Sequence, residues 1–147
     1  MFSILIPTYN NIDYLKLCID SIKKNSRFNH QIIIHINEGS DGTLDYVKNN
    51  SYEFTYSENN IGMPKALNQS AKLAKKNYIL ISHDDFYYCP GWDLEFEKEL
   101  KKINHNKFYL SGTMVGAGQV FFDAGNKIEN FNEKHLLNNL EKIKTFN

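Results

Sequence analysis

Tyr78-Ile79-Leu80-Ile81-Ser82-His83-Asp84-Asp85-Phe86 is the stretch on which the reading of this chain turns. Residues 78–82 form a short apolar run of β-branched, aromatic and aliphatic side chains, the pattern of a buried strand in a parallel sheet. The run stops at two adjacent carboxylates, and Pro90-Gly91 marks a turn soon after. Open α/β sheets bind ligands beyond the carboxyl ends of their strands. Unpaired carboxylates are too costly to bury, so Asp84 and Asp85 either sit in a solvated turn or meet a cation. A divalent metal held by one or two carboxylates completes its coordination with water and phosphate oxygens. The second alternative therefore predicts a metal-bridged phosphate ligand.

Upstream of that stretch, strand and helix patterns alternate. Residues 2–6 are an apolar run closed by Pro7, and Asn10 or Asn11 then caps a helix whose apolar positions Tyr14, Leu15, Cys18, Ile19 and Ile22 follow the 3.6-residue period. Residues 32–36 are a second strand. The loop Glu38-Gly39-Ser40-Asp41-Gly42-Thr43 leads into a short helix with Leu44 and Val47. Residues 53–56 are a third strand, Asn59-Asn60-Ile61-Gly62 a loop, and residues 63–75 a helix with Ala66, Leu67, Ser70, Ala71 and Ala74 on one face. Downstream, residues 92–103 read as a helix and 108–114 as a strand. The pattern then weakens: Gly116 and Gly118 suggest a loop or bulge, 120–122 has the pattern of a further strand, and 133–143 that of a helix. Alternation from residue 2 to 82 predicts an α/β fold with a parallel, doubly wound sheet.

Composition narrows the function. The 147 residues suffice for one domain with a core, and 41% hydrophobic with 14% aromatic content describes a folded chain. Seventeen basic residues balance seventeen acidic ones, without the basic excess of a general nucleic-acid binder. The lysine clusters at 23–24, 75–76 and 101–102 read as solvated helix faces. Cys18 and Cys89 are the only cysteines and lack the spacing of a zinc site or a disulfide framework. Cys18 reads as a small core residue, and a reducing compartment, the cytoplasm, is expected. Apolar runs are too short to span a membrane. Met1-Phe2-Ser3-Ile4-Leu5-Ile6-Pro7 lacks the basic start of a signal peptide.

Four segments together carry a resemblance. Ser3-Ile4-Leu5-Ile6-Pro7-Thr8-Tyr9-Asn10 resembles the opening strand of the family 2 glycosyltransferases, whose fold, GT-A, is a Rossmann-like open and mostly parallel sheet with helices on both faces. Glu38-Gly39-Ser40-Asp41-Gly42-Thr43 resembles their second-strand loop. Asn60-Ile61-Gly62 with Ala66 and Asn68 resembles the loop and helix before the metal motif, and residues 78–85 resemble the strand ending in that motif, often Asp-x-Asp. The resemblance covers residues 2–115, which it marks as the core that binds the nucleotide sugar. Residues 116–147 are then a truncated or reduced acceptor-side segment.

The resemblance implies a nucleotide-diphosphate sugar donor (UDP as a family-level expectation), a divalent Mn²⁺ or Mg²⁺, and transfer with inversion to an acceptor that is a glycan, lipid or protein. It makes Asp85 the direct metal ligand and puts Asp84 near the ribose or the metal's water shell. Pro7, Thr8 and Tyr9 lie where the family packs the nucleobase. Glu38 matches the acid that bonds base or ribose, and Asn68 a donor-side helix position. A metal at Asp85 would stabilise the charge developing on a diphosphate leaving group as a Lewis acid.

Departures from the pattern matter as much. His83 replaces the first acid of the metal motif, and is read as a polar neighbour in preference to a transition-metal ligand. Asn37 stands for the first aspartate of the second-strand loop, and Leu67 for a family arginine, with Lys65 nearby as a possible substitute. Inverting transfer needs a general base. In the family that acid follows the metal motif at a longer distance than this chain extends past Asp85. Asp123, Glu129, Glu133 and His135 are candidates, but none sits in a matching motif. The expectation is a fragment of a longer enzyme or a reduced domain that turns over poorly alone. The competing reading is a module that holds a nucleotide sugar without catalysis. A nucleotidyltransferase is disfavoured because Pro7-Thr8-Tyr9-Asn10-Asn11 is not a glycine-rich basic loop.

Overall fold

The computed structural model describes residues 1–115 and 120–143. They divide into two compact units, Met1–Asp93 and Leu94–Asn147. In the first, β1 (Phe2–Tyr9), β2 (Gln31–Asn37), β3 (Glu53–Ser57) and β4 (Tyr78–Ile81) alternate with α1 (Ile12–Asn25), α2 (Thr43–Asn49) and α3 (Met63–Ala71). The sheet has the order β3-β2-β1-β4, and every neighbouring pair is parallel. The α/β alternation expected from the sequence is the architecture observed.

β1 and β2 are the two inner strands. Ile4, Leu5 and Ile6, and Ile33, Ile34 and Ile36, are fully buried although successive side chains point to opposite faces, so both faces of the sheet are covered. Leu15, Cys18, Ile19 and Ile22 bring the apolar face of α1 into this core, and Val47 and Ala66 do the same from α2 and α3. The chain winds from β1 to β3 on one side and returns to β4 on the other side of β1. The topological switch point therefore lies between β1 and β4, where ligands of open α/β sheets bind.

β4 corrects the first expectation. It is parallel, but it is an edge strand, and Ile79 and Ile81 are each 52% exposed. An apolar run reads as buried on both faces whether it becomes a central strand or an edge, because the strand order is a tertiary property. α3 is also shorter than its periodicity: it ends at Ala71, and residues 72–74 continue in i→i−3 turns. The Asn11 position begins α1, but its side chain does not cap it. Asp41 takes that role, accepting from the Ile12 N–H at 2.9 Å and, through its other oxygen, from Thr43 N–H at 3.1 Å, at the start of α2.

In the second unit, α4 (Trp92–Leu100), which begins at the end of the first, holds Glu95, Glu97 and Glu99 in ion pairs with Lys98 and, just past its end, Lys101 and Lys102. It ends before residues 101–103. Residues 108–114, expected as a strand, form none, since a strand needs a ladder and Val115–Val120 is an isolated bridge. Of 120–122 only Val120 pairs. α5 (Glu133–Asn139) is capped by the Asn132 side chain, which accepts from His135 N–H, and gives way to a 3₁₀ turn at Leu140–Lys142. Gly116 and Gly118 lie outside the described residues. No helix among the described residues is long and apolar enough to cross a membrane. Both cysteines are free.

Candidate functional site

The carboxyl ends of β1, β2 and β4 bring most of the expected residues together. Thr8, buried near the end of β1, donates its hydroxyl to Asp84 Oδ2 at 2.7 Å across the switch point. The Asn11 side chain bonds the same carboxylate. Burial pushes the Asp84 carboxyl up, and the negative charge of Asp85 adds to that, while the bonds from Thr8 and Asn11 pull it down; the net direction is upward. Asp85, the next residue, is exposed and its carboxylate has no hydrogen-bond or ion-pair partner among the described residues. Two neighbouring acids are thus divided: one is tied back to the scaffold, the other faces solvent.

A second cluster holds Glu38. Its Oε1 accepts from Asn10 Nδ2 at 3.1 Å and from Ser40 Oγ at 2.9 Å, and Ser40 N–H donates to Asn10 Oδ1 at 2.9 Å. Ser40 first and Asn10 second keep the Glu38 carboxyl below its usual range. Asn10 and Glu38 both have positive φ, +46° and +65°, an uncommon conformation outside glycine that concentrates at functional sites. Gly39, at φ +74°, allows the turn from Glu38 to Ser40: a Cβ there would stand 2.7 Å from Ile36 Cγ2. Tyr9 leaves the end of β1 with its ring half exposed, and Pro7 is partly covered behind Thr8. Asn68 is exposed on α3 and bonds to none of these residues.

Asn37 is buried and bonded inside the fold. It donates to Thr8 O and accepts from Ser57 Oγ and Ile61 N–H, tying β1, β2, β3 and the following loop together. The His83 ring packs at a tilt against Phe86, with centroids 4.8 Å apart. Among the described residues no group of three His, Cys, Asp or Glu side chains forms a cation site. Cys18 is a core residue as expected, and burial pushes its thiol up to about 12. Sequence reasoning missed Asn10 and Ser40 as supports of Glu38, Asn11 as a partner of Asp84, and Asp41 as a double cap. The only sequence signal was the density of Asn, Ser and Asp in these two loops, residue types that bond neighbouring backbone and tolerate left-handed conformations.

The family described as glycosyl transferase family 2 matches residues 3–146. The chain belongs to this family. Two curated relatives are uncharacterized glycosyltransferases of Rickettsia. The one from Rickettsia typhi is 35% identical over 92 residues, which cover 60% of this chain and 28% of that protein. The one from Rickettsia bellii is 33% identical over 135 residues, covering 86% of this chain and 18% of that protein. This family 2 chain thus spans less than a third of the relatives it matches. Among solved structures, S. aureus TarS 1–349 in complex with UDP is similar with a TM-score of 0.66 at 22% identity, over 84% of this chain and 38% of that one. TarS 1–349 in a second crystal structure gives a TM-score of 0.61 at 21% identity, over 75% and 38%. The sheet order, its parallel strands and these neighbours make the fold GT-A.

Proposed function

We propose that this family 2 glycosyltransferase domain binds a nucleotide-diphosphate sugar, with UDP as the nucleotide, through a divalent Mn²⁺ or Mg²⁺, for inverting transfer to an acceptor. The observation that carries this reading is the division between Asp84 and Asp85 at the carboxyl end of β4: Thr8 and Asn11 hold the first, and the second is exposed beside the switch point. Two carboxylates without a third protein ligand among the described residues suit a hard cation completed by water and diphosphate oxygens. When bound, such a cation draws charge from the diphosphate leaving group. Asp85 is its direct ligand, and Asp84 orients the turn or the cation's water shell. The half-exposed Tyr9 ring offers a face for the nucleobase, with Pro7 beside it. Glu38, kept ionised by Ser40 and Asn10, accepts from ribose or base, and Asn68 is assigned to the donor side of α3. The UDP complex of TarS supports the choice of nucleotide.

Calorimetric titration of UDP with Mn²⁺ and with EDTA tests the reading. Tighter binding with Mn²⁺ is expected, and Asp85→Ala should remove that gain while the thermal melt stays in place. Equal affinity in both buffers would sink the metal bridge. Transfer is tested separately with nucleotide sugars and mixed acceptors. The proposal assigns no general base, so turnover well below ordinary enzyme rates is expected; loss of acid–base help costs about 10²–10⁴. Ordinary turnover would direct alanine substitution to Asp123, Glu129, Glu133 and His135.

A further inference from the structure

α1 buries polar side chains at Ser21 and Asn25 along the face that also carries Cys18, and buried polar groups require partners. Their partners lie in the segment that follows β4. Ser21 Oγ accepts from Tyr88 N–H at 3.0 Å, and Asn25 Nδ2 donates to Tyr88 O at 2.7 Å. Cys18 Sγ donates to His83 O at 3.4 Å, Asn25 O accepts from Gly91 N–H at 3.0 Å, and Trp92 Nε1 donates to Ser26 Oγ at 3.1 Å. The backbone of Tyr88 is therefore held on both its N–H and its C=O by one helix face.

The side chain of Tyr88 reaches back across the acidic turn. Its hydroxyl donates to Ser82 Oγ at 2.8 Å, and its ring packs on Trp92 with centroids 4.7 Å apart. Ser82 is the last residue held by the sheet, its N–H bonded to Leu5 O at 3.0 Å, and its own hydroxyl donates to His83 O. Ser82 and Tyr88 thus bracket residues 83–87, and the bond between them closes the neck of the turn that carries both acids. Asp84 has its own anchors in Thr8 and Asn11. Asp85 has none among the described residues, so the backbone of the closed turn sets where its carboxylate points.

We propose that Tyr88 is a positioning residue for Asp85: by donating to Ser82 it closes the acidic turn and preorganises the exposed carboxylate for its cation. This rests on the reading of Asp85 as a cation ligand. An open turn would have to be ordered when the cation binds, and that cost is taken from affinity. The net worth of one intramolecular hydrogen bond corresponds to a loss of about three- to ten-fold.

The experiment titrates UDP, with Mn²⁺ and with EDTA, into the unmutated chain, Tyr88→Phe, Ser82→Ala and the double variant, with circular dichroism confirming each fold. Tyr88→Phe should lower the Mn²⁺-dependent gain by about three- to ten-fold and leave the affinity in EDTA unchanged. In the Ser82→Ala background Tyr88→Phe should have no further effect, because the bond is already gone. An unchanged Mn²⁺ gain in Tyr88→Phe overturns the proposal. So does an equal loss in both buffers, which marks a general packing role, or a full Tyr88→Phe effect in the Ser82→Ala background, which shows that the phenol acts through some other group. If the unmutated chain gains nothing from Mn²⁺, the cation reading fails first and the positioning role goes with it, an outcome distinct from the other three.

Discussion

Thr8 Oγ1 donates to Asp84 Oδ2 across 2.7 Å, joining the ends of the two strands that flank the switch point. The bond has two effects. It opposes the upward push that burial gives the half-buried Asp84 carboxyl without reversing it, and it leaves Asp85 as the acid that faces outward.

Thr8→Val removes this bond while keeping the shape of the side chain. Burial, the first cause raising the Asp84 carboxyl, then acts with less opposition, so Asp84 holds its proton to a higher pH. Mn²⁺-dependent UDP binding by the variant should fall more steeply on acidification than that of the unmutated chain. Calorimetry at about pH 8 and about pH 5.5 checks this. Parallel pH profiles would show that Thr8 does not tune Asp84.

The edge position of β4 makes a stability prediction opposite to the sequence expectation. Ile81 is half exposed, so Ile81→Thr should cost roughly 1 kcal/mol or less. Ile34→Ala, in the covered strand β2, should cost about 2–5 kcal/mol. Urea unfolding of the two variants provides the comparison. A similar cost at both positions would return β4 to the interior.

Asp41 serves two helices with one carboxylate, bonding Ile12 N–H and Thr43 N–H. Burial pushes its carboxyl up, but the hydrogen bonding from Thr43 and Ile12 outweighs it and keeps the carboxyl below the usual range. A lost side-chain cap costs about 0.5–2 kcal/mol, so Asp41→Ala should destabilise by roughly 1–3 kcal/mol and Asp41→Asn by less. Chemical denaturation decides it, and a cost for Asp41→Ala within error of zero would show that water replaces both caps.

Two histidines with lowered pKa values should make the fold acid-sensitive. His35 lies between the hydroxyls of Thr55 and Ser57 on neighbouring β3. His30 accepts from Phe2 N–H and faces Asp93, with the Met1 amine and Lys76 nearby. Burial is the first cause that lowers both rings; Asn37 opposes it at His35 and Asp93 at His30, without reversing it. The unfolded chain, with histidines near their ordinary value of about 6.5, therefore binds these protons first. Stability should be complete above about pH 6.5 and decline below it. Urea midpoints at about pH 7.5 and about pH 5.5 test this, with His35→Gln and His30→Gln each expected to flatten the decline. A midpoint that does not move would mean that the rings protonate in place.

The order of strands and helices in the first unit was readable because each has its own period and its own punctuation. Residues 2–6 and 32–36 are apolar runs, the second followed by a glycine loop; β1 nonetheless passes through Pro7 to Tyr9, beyond the close that the sequence suggests at Pro7. The α1 pattern of Leu15, Cys18, Ile19 and Ile22 is helical by spacing alone. Asp84 and Asp85 were legible for a similar local reason: charge at the end of an apolar run has to face solvent or a partner. Tertiary structure decided which strand is an edge, since Ile79 and Ile81 are as apolar as Ile33 and Ile34 and differ only in what lies beside them. It also decided which acid is tied and which is free, because Thr8 meets Asp84 across 76 residues of chain. The same holds for Asp41 in place of Asn11 as the cap of α1, and for Tyr88 as the closure of the acidic turn. Periodicity records which face of a segment is apolar. It carries no information about which distant side chain a hydrogen-bonding group will meet, because that depends on how the sheet brings strand ends together.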